Sequence, residues 1–255
     1  MSAPDVGRPS VGPAEGPPPV MIAAIRRRMR KLRSRYLPVV ARQLFRPRTR
    51  LAVERWGSDY GGWIVPPSLL SASSVCYCVG VGEDITFDLA LIRRFGCHVH
   101  AFDPTPRAAL HVAAEAGKID SYHFHPVGLW SADAELKFYV PRNRQHVSHS
   151  IVNLQGTDEY FVARCRRLSS LMAELGHSRL DLLKLDIEGA EYEVLRSMLA
   201  DRIYPTVLCV EFDQPMPFRL TRAAVRDLRR AGYQICSIEG WNFTFVLAGA
   251  SGATA

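Results

Sequence analysis

Val75 to Asp88 reads VCYCVGVGEDITFD, and its first five residues form an apolar run too short for a helix but rich in the β-branched and aromatic types that suit a buried strand. Gly80 and Gly82 end the run. Without a Cβ, glycine at alternate positions past a strand lets the backbone turn sharply and approach a ligand closely. Glu83 and Asp84 follow, at what reads as the first turn of a helix carrying Phe87, Leu91 and Ile92 inward. Carboxylates suit the positive end of a helix dipole but oppose phosphate. A pyrophosphate-binding loop should continue G-x-G-x-x-G, whereas the third position here is Ile85 and two negative charges stand where a dinucleotide would bring its own.

A nucleoside carrying positive charge suits this loop better, and S-adenosylmethionine, with its sulfonium and ammonium groups, is the expected ligand. The rival is a nicotinamide cofactor on a related sheet, which would make the chain an oxidoreductase. Downstream, the strand HVHAF (98–102) ends in Asp103, followed by the turn Pro104, Thr105, Pro106. An acid at the tip of the second strand, about twenty residues past the glycines, is where a nucleoside-binding sheet bonds ribose hydroxyls. A helix over 106–116 and a third strand over 122–127 come next, with Gly128 and Leu129 at its end as adenine contacts. ELKFYV (135–140) alternates like a strand and suggests a hairpin with 150–154. The loop between them holds His146 and His149. His98-x-His100 and His123-x-His125 each put two imidazoles on one strand face, but neither has a carboxylate or cysteine at ligand spacing, so zinc is not expected. Residues 54–70 read as an irregular glycine- and aromatic-rich loop. It either closes over the ligand, bringing Tyr60 to it, or covers one end of the sheet.

At 255 residues and 47% hydrophobic, the chain can bury a full core without a second domain. Its +7 charge is lopsided: residues 1–50 hold twelve Lys or Arg against two acids, leaving twenty basic against twenty-three acidic residues in the remainder. The basic signal therefore belongs to the tail, and no nucleic-acid partner is expected. Residues 1–20, rich in Pro, Gly, Ser and Ala, read as disordered. Within 21–53, an amphipathic helix over 21–36 carries Ile22, Ile25, Met29 and Leu32 on one stripe among seven Lys or Arg. It is too short to span a bilayer, and either lies on an anionic membrane or packs as a solvated helix. Truncation of residues 1–50 is expected to leave the chemistry intact. The six cysteines show no CxxC spacing and read as reduced core residues of a cytoplasmic protein.

The most specific stretch is DLLKLDIEGAEYEVL (181–195), a fourth strand that meets a helix with Asp186 and Glu188 at the junction. With VGVGED and AFDPTP, it resembles the FkbM family of S-adenosylmethionine-dependent methyltransferases from about Tyr60 to Leu247. Two positions depart from the family pattern: Cys78 stands where Asp is usual, and Asp103 where Glu is usual. A strand over 206–211, an Arg-rich helix over 221–231 and two strands near 233–238 and 242–247 complete the expected fold. That fold is a doubly wound, Rossmann-like, seven-stranded and mostly parallel sheet with a C-terminal antiparallel hairpin, the class I methyltransferase architecture, over 54–250. The resemblance implies O-methylation of a hydroxyl on a sugar, glycolipid or other small molecule; a homologue that binds cofactor without turnover is the alternative. Tyr60, Gly80, Gly82, Glu83, Asp103, Pro104, Gly128 and Leu129 are the expected cofactor contacts. Asp186 is the expected base or acceptor anchor, supported by Glu188 and more remotely by His149, unless it merely caps the following helix. A metal version would converge Asp186, Glu211 and Asp213 on Mg²⁺.

Overall fold

The computed structural model describes residues 43–139, 157–212 and 218–249, which lie in the unit Ala41–Ala255. The tail, the helix of 21–36, His149, the strand of 150–154 and Asp213 all fall outside them. A short antiparallel pair, β1 (Glu54–Trp56) and β2 (Trp63–Val65), is followed by β3 (Val75–Val79), α1 (Thr86–Phe95), β4 (His98–Phe102), α2 (Pro106–Glu115) and β5 (Tyr122–His125). The chain then leaves the main sheet for β6 (Gly128–Trp130), β7 (Ala134–Tyr139) and β8 (Tyr160–Arg167). It returns through α3 (Leu168–Glu174), β9 (Leu182–Leu185), α4 (Glu191–Ala200), β10 (Val207–Glu211) and α5 (Phe218–Arg230), and ends in β11 (Tyr233–Glu239) and β12 (Asn242–Leu247).

The seven-stranded sheet runs β11-β12-β10-β9-β3-β4-β5. From β10 to β5 its strands are parallel; β12 lies antiparallel to both β10 and β11. This is the expected doubly wound sheet with its terminal hairpin. The central strands are apolar throughout because alternate residues feed two separate cores. Tyr77, Val79, Leu183, Leu185, Leu208 and Val210 pack against α3, α4 and α5. Cys76, Cys78, Val99, Ala101, Leu182 and Cys209 pack on the other face, with Phe87 and Leu91 of α1 and Ala108 and Val112 of α2. Burying Phe87 and Leu91 contributes about 1.5–3 kcal/mol each, so α1 is held by its inner stripe. It ends at Gly96, whose φ of 70° gives a left-handed cap. Helix α2 starts on Thr105, whose side chain accepts from Ala108 N at 3.3 Å, with Pro106 in the first turn where no donor is missed.

Three local expectations change. Residues 54–65 are a hairpin rather than an irregular loop, in register Glu54 to Val65. The partner of β7 is β8, well past 150–154, and β6 joins them in a second sheet ordered β6-β8-β7. The acidic pair Glu83 and Asp84 precedes α1, which begins at Thr86. Residues 43–50, grouped by composition with the basic segment, pack on this unit: Phe45 is buried against Phe218 and Phe243, and Arg48 N donates to Ile235 O at 2.9 Å.

Candidate active site

The bend after β3 is the tightest point of the fold. Gly80 has φ 82°, and a Cβ there would stand 1.7 Å from the carbonyl oxygen of Asp186, so only glycine lets the ends of β3 and β9 lie this close. Gly80 N donates to Phe102 O at 3.0 Å and Asp186 N to Val79 O at 3.1 Å, which brings three strand ends into one rim. Over that rim lies a cavity of about 340 Å³. All eight residues expected to contact a cofactor line it, with Asp186, Glu188 and Glu211. Tyr60 stands at its mouth and is 83% exposed. The second sheet supplies one wall through Gly128, Leu129 and Phe138. A Cβ on Gly128 would meet Cys165 Sγ at 2.8 Å and the Phe138 ring at 3.0 Å, so this glycine lets the side chains of β7 and β8 pack over β6 within the second sheet.

Asp103 has a structural duty that its position in the sequence did not show. It is buried, and one oxygen accepts from Val81 N and Gly82 N at 3.0 Å each, while the other accepts from Thr105 N at 2.8 Å and Thr105 Oγ1 at 2.6 Å. The carboxylate thus ties the glycine loop to the start of α2. Asp84 does similar work on the other side, accepting from Ser58 Oγ and from Thr86 N and Oγ1. Burial opposes its ionisation, but the bonds from Ser58 and Thr86 prevail and hold it below the usual carboxylate range. The loop bearing Tyr60 is therefore pinned to α1, with Ser58 Oγ also accepting from Gly61 N at 2.9 Å. Glu83 forms an ion pair with Arg107 at 2.7 Å.

Lys184 was not singled out in the sequence, although a lysine inside LLKL is the mark of a buried charge that must be paired. Its Nζ donates to Gly80 O at 2.9 Å and meets Asp186 Oδ2 at 3.1 Å. Burial favours the neutral amine, but Asp186 and Asp88 outweigh it and keep the ammonium charged. Cys78 lies beside Lys184 in the β3–β9 register, buried, with its thiol pushed up by burial and by Asp88. Cys78 does not itself line the cavity but stands next to Lys184, which does. Asp88, from α1, supplies a carboxylate on that side and accepts from Tyr122 OH at 3.1 Å.

The junction after β9 settles the capping question. Helix α4 begins at Glu191, and Glu191 Oε1 accepts from Ile187 N and Gly189 N at 3.1 Å each. Glu191 therefore satisfies this turn's donors, leaving the Asp186 carboxylate on Lys184 and facing the cavity. Between them Glu188 adopts φ 54°, a conformation costly for a residue with a Cβ, and Gly189 follows at 100°. On the neighbouring strand Val210 pairs with Leu185, so Glu211 and Asp186 emerge side by side. Burial first, and then the Asp186 charge, raise the Glu211 carboxyl to about 9, so it carries a proton at neutral pH and donates it in a hydrogen bond to Asp186.

Away from the cavity, the four strand histidines bond one another across β4 and β5: His98 Nδ1 to His123 Nε2 at 2.9 Å and His100 Nδ1 to His125 Nε2 at 3.2 Å. Among the described residues no group of three or more His, Cys, Asp or Glu is arranged to hold a metal ion.

The cavity's lining fits S-adenosylmethionine. Even with Glu211 protonated and Glu83 paired with Arg107, four more carboxyl residues (84, 103, 186 and 188) stand against the single Lys184 and suit a cation, Val79, Phe102, Leu129 and Phe138 offer an apolar wall, and Gly80 admits close approach.

A family model described as the methyltransferase FkbM domain matches residues 75–235. Probable methyltransferase-like protein 24 of Homo sapiens is 29% identical over 127 residues, which cover 50% of this chain and 28% of that protein. Its counterpart in Rattus norvegicus is also 29% identical over 127 residues, covering 29% of its length. The match thus spans less than a third of these relatives. Among solved structures, the fibrillarin pre-rRNA processing protein of Methanococcus jannaschii aligns with a TM-score of 0.43 and 9% identity, over 78% of this chain and 84% of that one.

Proposed function

The chain belongs to the FkbM methyltransferase family, and from that premise we propose that it uses S-adenosylmethionine to O-methylate a hydroxyl of an uncharged small molecule or carbohydrate. The observation that carries this reading is the acid-lined cavity over the ends of β3, β4, β9 and β10, with Asp186 paired to Lys184 at 3.1 Å and facing into it. Gly80, Gly82 and Glu83 would hold the methionine portion, Pro104, Gly128 and Leu129 the adenine, and Asp103 the loop around them. When bound, the cofactor supplies an electrophilic methyl group on a sulfonium.

The chain's own residues do the rest. The acid-rich lining favours a hydroxyl over a phosphate or carboxylate acceptor. Lys184 and Glu211 fix Asp186, whose carboxylate takes the acceptor's proton as the oxygen attacks. A placed base of this kind contributes about 10²- to 10⁴-fold. Orientation of two reactants removes roughly 7–11 kcal/mol of barrier, so a modest base suffices when the geometry is fixed.

Titration calorimetry with S-adenosylmethionine, its demethylated product and NAD tests the cofactor. Labelled methyl transfer to extract components, with identification of the product, tests the acceptor. Tight NAD binding without binding of either sulfur compound would overturn the reading. Methyl transfer only to nitrogen would overturn its O-methylation part. Cofactor binding with no transfer to any acceptor would favour an inactive homologue, and activity lost in chelator and restored by Mg²⁺ would favour the metal version.

A further inference from the structure

Helix α5 carries Arg219, Arg222, Arg226, Arg229 and Arg230, at spacings of three and four that set them along one stripe, with Asp227 its one acid. Its inner face is Thr221, Val225 and Leu228, all buried, whereas Arg219, Arg222, Arg226 and Arg230 are exposed. The arm 43–50 brings three more exposed arginines, 46, 48 and 50, and no acid. Arm and helix form one surface: the Phe45 and Phe218 rings lie 5.6 Å apart, and Arg229 Nη2 donates to Phe45 O at 3.0 Å. Arg229, first by burial and then by the nearby Arg48 charge, is held below the usual guanidinium value. Asp227 meets Arg226 at 3.0 Å and Arg230 at 3.6 Å, so eight arginines face one carboxylate within these two stretches. Two leucines of these stretches are exposed, Leu44 at 58% and Leu220 at 42%.

We propose that this ridge of α5 and the arm docks on an anionic phospholipid surface, the guanidinium groups on lipid phosphates and Leu44 and Leu220 entering the headgroup layer. The helix buries one face and exposes arginines and a leucine on the rest, and exposed basic and apolar side chains on one helix are what an interfacial helix uses. Guanidinium groups suit phosphate through their paired donors. A nucleic acid would also answer the charge, but would leave the two leucines unused and find no exposed aromatic side chain here on which a base could stack, Phe45 being buried and Phe218 half-buried. The ridge is distinct in sequence from the basic stretch of 26–35, and it shares no residue with the cavity lining.

Flotation of the full chain with phosphatidylcholine vesicles, with and without 30% phosphatidylglycerol, tests the proposal at low and high salt. Wild type should float with the anionic vesicles alone and be released by salt. The triple variant Arg219→Glu, Arg222→Glu, Arg226→Glu should lose more than about tenfold in partitioning, with unchanged melting and cofactor affinity. The Arg→Gln set serves if the Glu set misfolds, and should lose several-fold. Leu44→Ser with Leu220→Ser should weaken binding further and make it more sensitive to salt. Undiminished flotation of the charge variants would overturn the proposal, because residues 26–35 would then carry the binding. So would leucine variants that float like wild type while a polynucleotide competes the chain off the vesicles, which would mark the ridge as a nucleic-acid surface.

Discussion

Replacing Gly80 with alanine tests the frame on which the cavity is built. The new Cβ would stand 1.7 Å from Asp186 O and 2.7 Å from its carbonyl carbon, so the β9 backbone must retreat by about 1.7 Å to reach an ordinary 3.4 Å contact. Nothing flexible is in the way to absorb this. A displacement of that size breaks the Asp186 N to Val79 O bond and pulls Lys184 Nζ from Gly80 O. Holding a side chain at φ 82° costs about 1–2 kcal/mol, and each buried hydrogen bond left unmade costs about 1–3 kcal/mol. With two such bonds the sum is roughly 3–8 kcal/mol, or a melting temperature lower by about 6–32 °C in a domain of this size. Gly176→Ala is the matched control: φ is 71°, but no atom lies within 4 Å of the added Cβ, so it loses the conformational part alone. Thermal unfolding of both variants, with cofactor calorimetry, should show Gly80→Ala far less stable and at least about tenfold weaker in binding. If the two variants melt within a few degrees of each other, the close approach of β3 and β9 is not what the glycine serves.

Asp186→Asn should abolish turnover while keeping cofactor affinity within a few-fold, and normal turnover would remove the base role. Because the Glu211 carboxyl is raised to about 9, its proton and the bond to Asp186 are present at neutral pH and lost as pH rises through that value; kcat/KM should fall there, and Glu211→Gln, which keeps an N–H donor and cannot ionise, should lose that alkaline fall. An unchanged profile in the Gln variant would refute the pairing. Lys184→Met strands the buried Asp88 and should cost about 3–5 kcal/mol in urea unfolding, partly recovered by adding Asp88→Asn. Burial and neighbouring imidazoles push His100 down to about 3 and lower His123, His125 and His177, so these groups favour folding fully above their unfolded value and stability drains as pH falls below it. The part due to His100 should approach at most about 1.4 kcal/mol per pH unit, and a His100→Gln protein whose melting curve keeps the full acid slope would contradict this.

The parallel strands were legible because each is buried on both faces and so reads as an unbroken apolar run between glycine or acidic punctuation, as at Val75–Gly80 and Leu182–Asp186. Strand β8 was not, since YFVARCRR places Arg164, Arg166 and Arg167 where an apolar alternation would be sought, and its partner is fixed by tertiary pairing rather than by a turn. Strands β1 and β2, at three residues each, are too short to show any period. The cavity's acids could be placed by their positions at strand ends, but not their partners. That Asp103 binds the glycine loop, or that Glu191 rather than Asp186 serves the helix start, depends on distances across the rim. Glu188 gave no sign of its left-handed backbone, because only its neighbour Gly189 carries that signal in a sequence.

The cavity has walls of two origins. Its floor is the rim of the seven-stranded sheet, where a shift of one atom at Gly80 is felt through three strands, whereas Phe138, Leu129 and Gly128 come from the small sheet. Mutational tolerance should divide along the same line. A library confined to the cavity-side positions of β7 and β8, Phe138 and its cross-strand partner Phe161, can reshape the approach to the site while the rim keeps its register, so this small sheet is the natural place to graft a new acceptor preference onto an unaltered transfer centre.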